Sequence, residues 1–352
     1  MRWHPISKLL LLTGLLALAL VCGSEEGDPT FAVAMTTIPP RFSSIHHTLD
    51  SWLSQEVYKP LCVVVFVPKS YKRFKRKSNN DTATTVLTTV DFLDHSIRKH
   101  APPRISSHLD SGTVRLVQVK HDFGPATKLV GILQHRSKLA SGGQSPTSCA
   151  PAFWIFGDDD VAYTPKTLYR YTLKMAMPPP GISDTELMSM VLTHFSEDVR
   201  LSVKLAGEGG AVRRVTHIQG VDTVLLPATM LQSQYDRCQI LHPAVFTRIL
   251  ETAFKICPDS FYQDDYVIAL LFNLAGVRVV SAWNNDHVAK HVQGVSKSNS
   301  QLHTKKDVFK KEDNTKACLA LKVDKLVEVA DRVGRQLLER TNRERIENGE
   351  LR

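Results

Sequence analysis

The stretch AFWIFGDDDVAY, residues 152–163, decides the predicted fold. Its apolar run, Phe153–Phe156, precedes Gly157 and three consecutive carboxylates, Asp158, Asp159 and Asp160. A short run of large apolar residues is typical of a strand that is buried on both faces, as in a parallel sheet. In open α/β sheets, ligands bind beyond the carboxyl ends of the strands, where this strand would place its carboxylates. The stretch therefore predicts an α/β fold with an acidic site at one edge of the sheet.

The three adjacent carboxylates repel one another, and a divalent cation would offset that repulsion. Asp158 and Asp160 form an Asp-x-Asp pattern that can hold Mn²⁺ or Mg²⁺ against a diphosphate. The alternative is a solvated acidic turn, because a lone Asp-x-Asp occurs by chance in many proteins. The buried strand that precedes the carboxylates favours the metal site.

The chain before these carboxylates alternates predicted strands and helices. FAVAMTTI and LCVVVFVP are predicted strands, and Ser43-Ser44 is predicted to cap a helix between them. The apolar residues of this helix share one face: Ile45, Leu49, Trp52 and Leu53. TVRLVQVK reads as the next strand, and GPATKLVGILQHRSKLA as a helix that begins at Pro125. This alternation predicts a Rossmann-like mixed sheet flanked by helices.

The chain after the carboxylates is less regular, although it continues the α/β pattern. A helix is expected over 165–177, short strands over 187–219, a strand in GVDTVLLP, helices over 243–256 and 263–276, a strand in VRVVSAW and a charged helix over 315–345. We therefore expect an α/β domain over 24–295, with halves 31–177 and 178–295, followed by a polar linker and a C-terminal helix over 296–352.

The N-terminus resembles a targeting segment. Arg2 and Lys8 precede the apolar run 9–21, which is short for a membrane crossing, and Val21-Cys22-Gly23 offers small residues for cleavage. Residues 1–23 are therefore predicted to be a signal peptide or an N-terminal membrane anchor. Either one places the rest of the chain in the lumen of the endoplasmic reticulum or Golgi, membrane-anchored or secreted.

Composition and charge limit the class of protein. The 352 residues are 43% hydrophobic and 22% charged, which excludes a fibrous or disordered chain. The net charge is +9, and the basic run KSYKRFKRK at 69–77 is predicted to be a solvated loop, with an acidic glycan or phosphate contact as the alternative. Nucleic acid is not expected as a partner of a lumenal protein. The sequence Asn80-Asp81-Thr82 predicts N-glycosylation at Asn80.

Five cysteines follow the predicted targeting segment: Cys62, Cys149, Cys238, Cys257 and Cys318. Their odd number and the absence of CxxC spacing argue against a structural zinc site. One or two disulfides are expected in an oxidising compartment, with a pairing that the sequence does not reveal.

A second pair of carboxylates, Asp264-Asp265, opens a predicted helix. The helix dipole stabilises one anion at this end, whereas two adjacent carboxylates disfavour the ionisation of both. This favours Asp265 as a general base beside Asp264. The alternative is a helix cap formed by Asp264 alone, because aspartate is common at helix starts.

Four stretches carry a resemblance to a known family: TTIPPRF, DFGPATKL, FGDDDVAY and CPDSFYQDDYVIALLFNLAGVRV. They occur in the order seen in GT-A fold glycosyltransferases, and the similarity spans residues 31–292. They resemble a group with TTIPPR-like and GPATKL motifs, which is distantly similar to beta-1,3 and Fringe-like transferases. The resemblance implies inverting, metal-dependent transfer of a sugar from a nucleotide-sugar donor to a hydroxyl of a glycan, glycoprotein or glycolipid.

The resemblance also implies roles for individual residues. Asp158 and Asp160 would bind Mn²⁺ or Mg²⁺ with the donor diphosphate, Asp159 would lie beside the donor, and Asp264 and Asp265 would supply the base. Enzymes of this fold often add a histidine to the metal from the region of NNDHVAKHV, where His287 is favoured over His291.

Two further segments are expected to contact the donor. Thr127 and Lys128, with free backbone NH groups at the start of the GPATK helix, would face the diphosphate. The alternative is a helix with an exposed lysine. Thr36, Thr37 and Arg41 follow the first strand, where the resemblance implies that the nucleotide base and ribose lie. Here the alternative is a rigid strand exit formed by Pro39-Pro40.

Two other classes of function compete with the transferase. One is a secreted, non-catalytic sugar-binding protein of the same fold, although binding alone needs no base. The other is a metal-dependent phosphohydrolase, although such enzymes usually gather a second metal set.

Overall fold

A computed structural model describes eleven continuous ranges of the chain and several short stretches between 318 and 347; the ranges are 28–71, 88–140, 149–176, 190–193, 196–203, 213–218, 223–229, 241–261, 264–274, 277–281 and 289–291. The strands are β1 (Phe31–Thr36), β2 (Pro60–Pro68), β3 (Val114–Val119), β4 (Phe153–Phe156), β5 (Val161–Tyr163), β6 (Met190–Thr193), β7 (Ser196–Val203), β8 (Arg213–Ile218), β9 (Val224–Pro227), β10 (Arg278–Ser281) and β11 (Ala289–His291). The helices are α1 (Ile45–Leu53), α2 (Thr89–His100), α3 (Pro103–Asp110), α4 (Thr127–Ala140), α5 (Thr167–Ala176), α6 (Pro243–Ile256) and α7 (Asp264–Leu274).

Seven strands form one mixed sheet in the order β10-β6-β9-β4-β1-β2-β3. Strands β3, β2, β1 and β4 run parallel, whereas β9 runs antiparallel to both β4 and β6. Two smaller antiparallel pairs, β5 with β11 and β7 with β8, lie outside this sheet. The predicted α/β class with a Rossmann-like mixed sheet is confirmed at this level.

The sheet is buried on both faces, which explains the continuous apolar runs of its strands. Along β1, Ala32 and Ala34 belong to one apolar cluster, whereas Phe31, Val33 and Met35 belong to the other. Helices α4, α6 and α7 pack on the first face, and α1, α2 and α3 on the second. This three-layer arrangement follows from the alternation of side chains along a strand.

Most predicted elements are confirmed, with small differences at their ends. Ser44 precedes α1, but its side chain makes no capping bond to the helix and donates instead to the backbone oxygen of Arg41. The predicted helix start at Pro125 is wrong, because Gly124–Ala126 forms a 3-10 turn and α4 begins at Thr127. Helices α2 and α3 and strands β5 and β11 had not been predicted, although Thr88 and Asp91 form a capping box at the start of α2.

Two disulfides link separate parts of the chain. Cys62 on β2 bonds to Cys149 before β4, and Cys257 after α6 bonds to Cys318. The predicted number of disulfides is therefore confirmed, and Cys238 lies outside the described residues. Near Cys318, the helical residues Leu326, Val329 and Ala330 join the apolar cluster of α4, α6 and α7. The C-terminal region thus contributes to the core of the α/β domain.

Among the described residues, none of the helices has the length and apolarity needed to cross a membrane. The predicted targeting segment and Asn80 lie outside the described residues.

Candidate functional site

The acidic turn, defined as residues Asp158, Asp159 and Asp160, lies at the carboxyl edge of the parallel strands. β4 runs parallel to β1, with Phe156 paired to Ala34, and the NH of Gly157 donates to the Ala34 oxygen at 3.3 Å. The ends of β1 and β4 therefore meet at one edge. The structure brings Thr36 and Thr37 to the same edge as the carboxylates, as expected from the sequence.

The Tyr163 side chain holds the backbone of the acidic turn in place. The NH of Asp158 donates to the Tyr163 hydroxyl at 2.9 Å, and the Tyr163 ring stacks on Trp52 with centroids 4.1 Å apart. A side chain on Gly157 would overlap this hydroxyl, so glycine is required at that position. Burial and the charge of Asp158 raise the pKa of Tyr163 well above its ordinary value, which keeps the hydroxyl neutral.

Helix α1 supports the same turn through its polar side chains. The Thr48 hydroxyl donates to the Asp159 backbone oxygen at 2.9 Å, and the Ser51 hydroxyl accepts from the Tyr163 NH at 3.0 Å. Gln55, which is fully buried, donates to the Thr164 oxygen at 2.8 Å. Together these bonds connect α1 to the backbone of the acidic turn and of the residues that follow it. No pattern in the sequence predicted Tyr163 or these α1 side chains. The α1 side chains lie between 109 and 112 positions along the chain from the backbone groups that they bond.

Arg41 pairs with two of the three carboxylates. Its Nη1 lies 2.5 Å from Asp159 Oδ1, and its Nη2 lies 3.0 Å from Asp160 Oδ2. Burial lowers the pKa of Arg41, but the charges of Asp159 and Asp160 more than reverse this effect and the pKa is raised overall. The 3-10 turn Pro39–Arg41 positions the side chain. Arg41, predicted to contact the donor, therefore lies against the acidic turn.

Lys128 pairs with the remaining carboxylate. Its Nζ lies 2.9 Å from Asp158 Oδ1 and 5.8 Å from the centre of the Phe156 ring. Only 2% of Lys128 is exposed, so the alternative interpretation of an exposed lysine is wrong. The preceding Thr127 accepts from the Phe123 NH at 3.1 Å, which fixes the start of α4. The GPATK segment thus delivers a buried cation to the site.

The turn before α4 depends on Gly124. This residue has φ +60°, and an added Cβ would lie 2.5 Å from the Phe261 backbone oxygen. Both the conformation and the close approach require glycine. The contact also shows that the chain just before α7 lies against the segment that carries Lys128.

Two cations of the chain lie among the acidic residues of this edge. Arg41 and Lys128 supply two formal positive charges for the three carboxylates of the acidic turn, and Asp122, 5% exposed, adds another carboxylate after β3. This answers part of the repulsion problem, since two cations of the chain itself stabilise the turn. Both cations were predicted from the sequence to contact the donor, whereas their pairing with the aspartates was not predicted.

Two buried oxygen atoms at this edge make no hydrogen bond within the described part of the structure. They are Oδ2 of Asp159 and Oγ1 of Thr37. Buried polar atoms are usually paired, so these two indicate where a ligand or an ion would bind. Carboxylate and hydroxyl oxygens are the ligands that Mg²⁺ and Mn²⁺ prefer. The two oxygens are thus of a chemical type that such a cation can bind.

No group of three or more histidine, cysteine, aspartate or glutamate side chains in the described ranges has the arrangement of a metal site. His287 lies outside those ranges and stays a prediction. His291 ends β11, whose antiparallel register pairs it with Val161, the residue after Asp160. The register therefore brings the backbone of His291, the alternative candidate, beside the acidic turn.

The second carboxylate pair occupies the predicted place in the fold. Helix α7 begins at Asp264, and it contacts the 3-10 turn Gly124–Ala126. The structure describes the backbone of Asp264 and Asp265, while their side chains lie outside the described part. The predicted helix start is confirmed, and the choice of Asp265 as base stays a prediction.

No protein-family model matches the chain, and no curated protein matches it.

Proposed function

We propose that this protein is a metal-dependent glycosyltransferase with a GT-A type fold. The observation that carries the proposal is the acidic turn at the carboxyl edge of the sheet, held by Tyr163 and flanked by Arg41 and Lys128. Its reaction would move a sugar from a nucleotide-sugar donor to an acceptor hydroxyl with inversion. Mn²⁺ or Mg²⁺ at the turn would neutralise the charge of the departing diphosphate.

Asp158 and Asp160 would hold the cation, with His287 or His291 as a further ligand. The unpaired Oδ2 of Asp159 supports a role for that residue beside the donor. The fixed backbone of the turn keeps these carboxylates in place before a ligand binds. Such preorganisation limits the ordering needed on binding.

Lys128 and Arg41 would contact the diphosphate after loosening their present ion pairs. Both cations are partly or fully buried, where charge interactions are stronger than in water. Thr37 is the better of the two threonines for contact with the donor, because the Thr36 hydroxyl already donates to the Phe66 oxygen at 2.8 Å. Thr127 would act through its support of the α4 start.

Asp265 would accept the proton of the acceptor hydroxyl as that oxygen attacks the anomeric carbon. The contact between α7 and the turn before α4 supports this role, since it brings the start of α7 towards the segment of Lys128. Asp264 would cap the helix. The proposal needs no covalent nucleophile on the protein.

One observation favours a second candidate, a non-catalytic sugar-binding protein of the same fold. Arg41 and Lys128 already pair with all three carboxylates in the described structure. A binding protein could keep this arrangement without a metal.

The deciding experiment screens the full-length protein, produced in a secretory host, against several nucleotide sugars with Mn²⁺. We expect release of the nucleotide together with a glycoside product, and loss of both in excess chelator. Asp160→Asn should lower transfer by about a hundredfold or more, because it removes a charged metal ligand. The exposed Asp28→Asn, with the same charge change, is the matched control.

Three outcomes would overturn the proposal. Sugar binding without turnover would indicate the non-catalytic protein, and free phosphate without a glycoside would indicate a phosphohydrolase. Full activity in excess chelator would exclude the metal.

A further inference from the structure

A cavity of about 540 Å³ lies between the segment that follows β1 and helix α2. Phe42 and Tyr71 line it from the strand ends, and Phe92, His95, Lys99 and His100 line it from the helix. The volume is in the range of small-molecule sites. The function proposed above assigns nothing to this cavity.

The cavity wall carries a formal positive charge on Lys99, with two histidines on the same helix. His95, Lys99 and His100 follow one another along one side of α2, and none of the described lining residues is acidic. Arg98, the neighbouring cation on the same helix, is by contrast paired with Asp94 and Asp110 outside the wall. The lining therefore favours an anionic ligand.

The cavity wall also offers aromatic surface. The Phe42 and Tyr71 rings meet edge to face with centroids 6.4 Å apart, and Phe92 is 43% exposed. Most of the phenylalanines that the structure describes are buried, so an exposed one beside a cavity is unusual among them. Aromatic faces attract the weakly positive C–H groups of a sugar ring.

The cavity is connected to the acidic turn through the same short segment. The chain from Pro39 to Ser43 lines the cavity and also contains Arg41, which pairs with Asp159 and Asp160. The Tyr71 hydroxyl donates to the backbone oxygen of Thr37 at 2.7 Å. A ligand in this cavity would thus lie next to the residues that we propose for donor binding.

We propose that the cavity binds an acidic sugar, one that carries a carboxylate or a sulfate, and that this sugar belongs to the acceptor glycan. A neutral nucleobase would need aromatic surface but no cations, and the diphosphate has its own cations at the acidic turn. The assignment of this sugar to the acceptor rests on the transferase activity proposed above, whereas the binding of an acidic sugar in the cavity does not.

The test measures binding of two disaccharides to the full-length protein by titration calorimetry. One disaccharide ends in glucuronic acid and the other in glucose, and chelator is present without any nucleotide sugar. We expect the acidic probe to bind about tenfold more tightly than the neutral one, because charge-assisted hydrogen bonds to Lys99 or the histidines require the carboxylate.

Three variants locate the binding. Lys99→Gln should weaken the acidic probe about tenfold and leave the neutral one unchanged, whereas Phe92→Ala should weaken both. Lys255→Gln, an exposed position on α6 with the same charge change, should leave both unchanged. Thermal unfolding of each variant checks that the fold is kept.

Four outcomes would overturn the inference: equal binding of the two probes, absence of any binding, equal weakening by Lys255→Gln, or a nucleoside monophosphate that binds at Lys99 in place of the acidic sugar. Acidic-sugar binding in a protein without transferase activity would keep the site and overturn only its assignment to an acceptor. Transfer without such binding would keep the proposed function and overturn the inference.

Discussion

At the scale of single residues, the acidic turn is held mainly by groups that carry no charge. Tyr163 accepts a hydrogen bond from the Asp158 NH, and Thr48 donates to the Asp159 oxygen. Both partners act on the backbone, so they hold the turn without neutralising its carboxylates. Arg41 and Lys128 then reduce the repulsion between the side chains. The turn is thus held both through its backbone and through its side chains.

Tyr163→Phe tests the support of this turn. The substitution removes one hydroxyl and leaves the Asp158 NH without its partner, so we expect a loss of about 1–3 kcal/mol in the free energy of unfolding. Mn²⁺ affinity should fall as well, because the carboxylates lose their fixed positions. Urea unfolding and titration with Mn²⁺ measure the two effects.

The matched control is Tyr169→Phe, which removes a tyrosine hydroxyl from the half-buried side of α5. It should change neither the unfolding free energy nor Mn²⁺ binding by a measurable amount. Tyr163→Phe with wild-type stability would show that the hydroxyl does not hold the turn.

At the scale of elements, two helix starts converge on the site. The segment before α4 brings Lys128 to the acidic turn, and the chain before α7 lies against Gly124 of that same segment. Helix starts present free NH groups and the positive end of the helix dipole, which suit an anionic donor. The register of β5 and β11 brings the backbone of His291 beside the acidic turn.

Asp265→Asn tests the start of α7. The substitution keeps the shape of the side chain but removes its basicity, so transfer should fall by about a hundredfold or more. Donor binding and metal binding should persist, because the residue is proposed to act only on the acceptor proton. Transfer kinetics and donor binding are measured separately.

Asp264→Asn is the control at the adjacent position. If it abolishes transfer while Asp265→Asn is active, the base is Asp264. Normal transfer by both variants would indicate that the pair only caps the helix. Loss of transfer and binding together would indicate damage to the fold.

At the scale of the whole molecule, the C-terminal region is part of the domain core. Cys318 bonds to Cys257 at the end of α6, and Leu326 and Val329 join the cluster of α4, α6 and α7. The disulfide closes a separation of 61 residues along the chain. It therefore limits the freedom of the unfolded chain around the second half of the sheet.

Replacing both Cys257 and Cys318 with serine should lower the free energy of unfolding by about 2–4 kcal/mol. Urea unfolding under oxidising conditions measures the change. Under reducing conditions the wild-type protein and the variant should instead unfold at similar urea concentrations, provided that Cys62 and Cys149 are reduced in both. An unchanged midpoint under oxidising conditions would contradict the contribution of this bond.

The amino-acid sequence by itself determined the α/β class, most element bounds and the position of the acidic turn. These features depend on local patterns: a strand buried on both faces is a continuous apolar run, and an amphipathic helix repeats its apolar residues every three to four positions. Arg41 and Lys128 were also selected from local features, because Arg41 follows the first strand and Lys128 lies at the start of a helix. Their roles beside a donor were implied by resemblance.

Only the tertiary structure decided which of these residues meet. The pairing of Arg41 with Asp159 spans 118 positions of the chain, and the hydrogen bond of Thr48 to Asp159 spans 111. Three other features also join residues that are far apart in the chain. They are the antiparallel position of β9 between β4 and β6, the two disulfide pairings and the cavity beside α2. Such contacts depend on how the helices and strands pack across the sheet, and no local pattern of side chains encodes the distance between residues that are far apart in the chain.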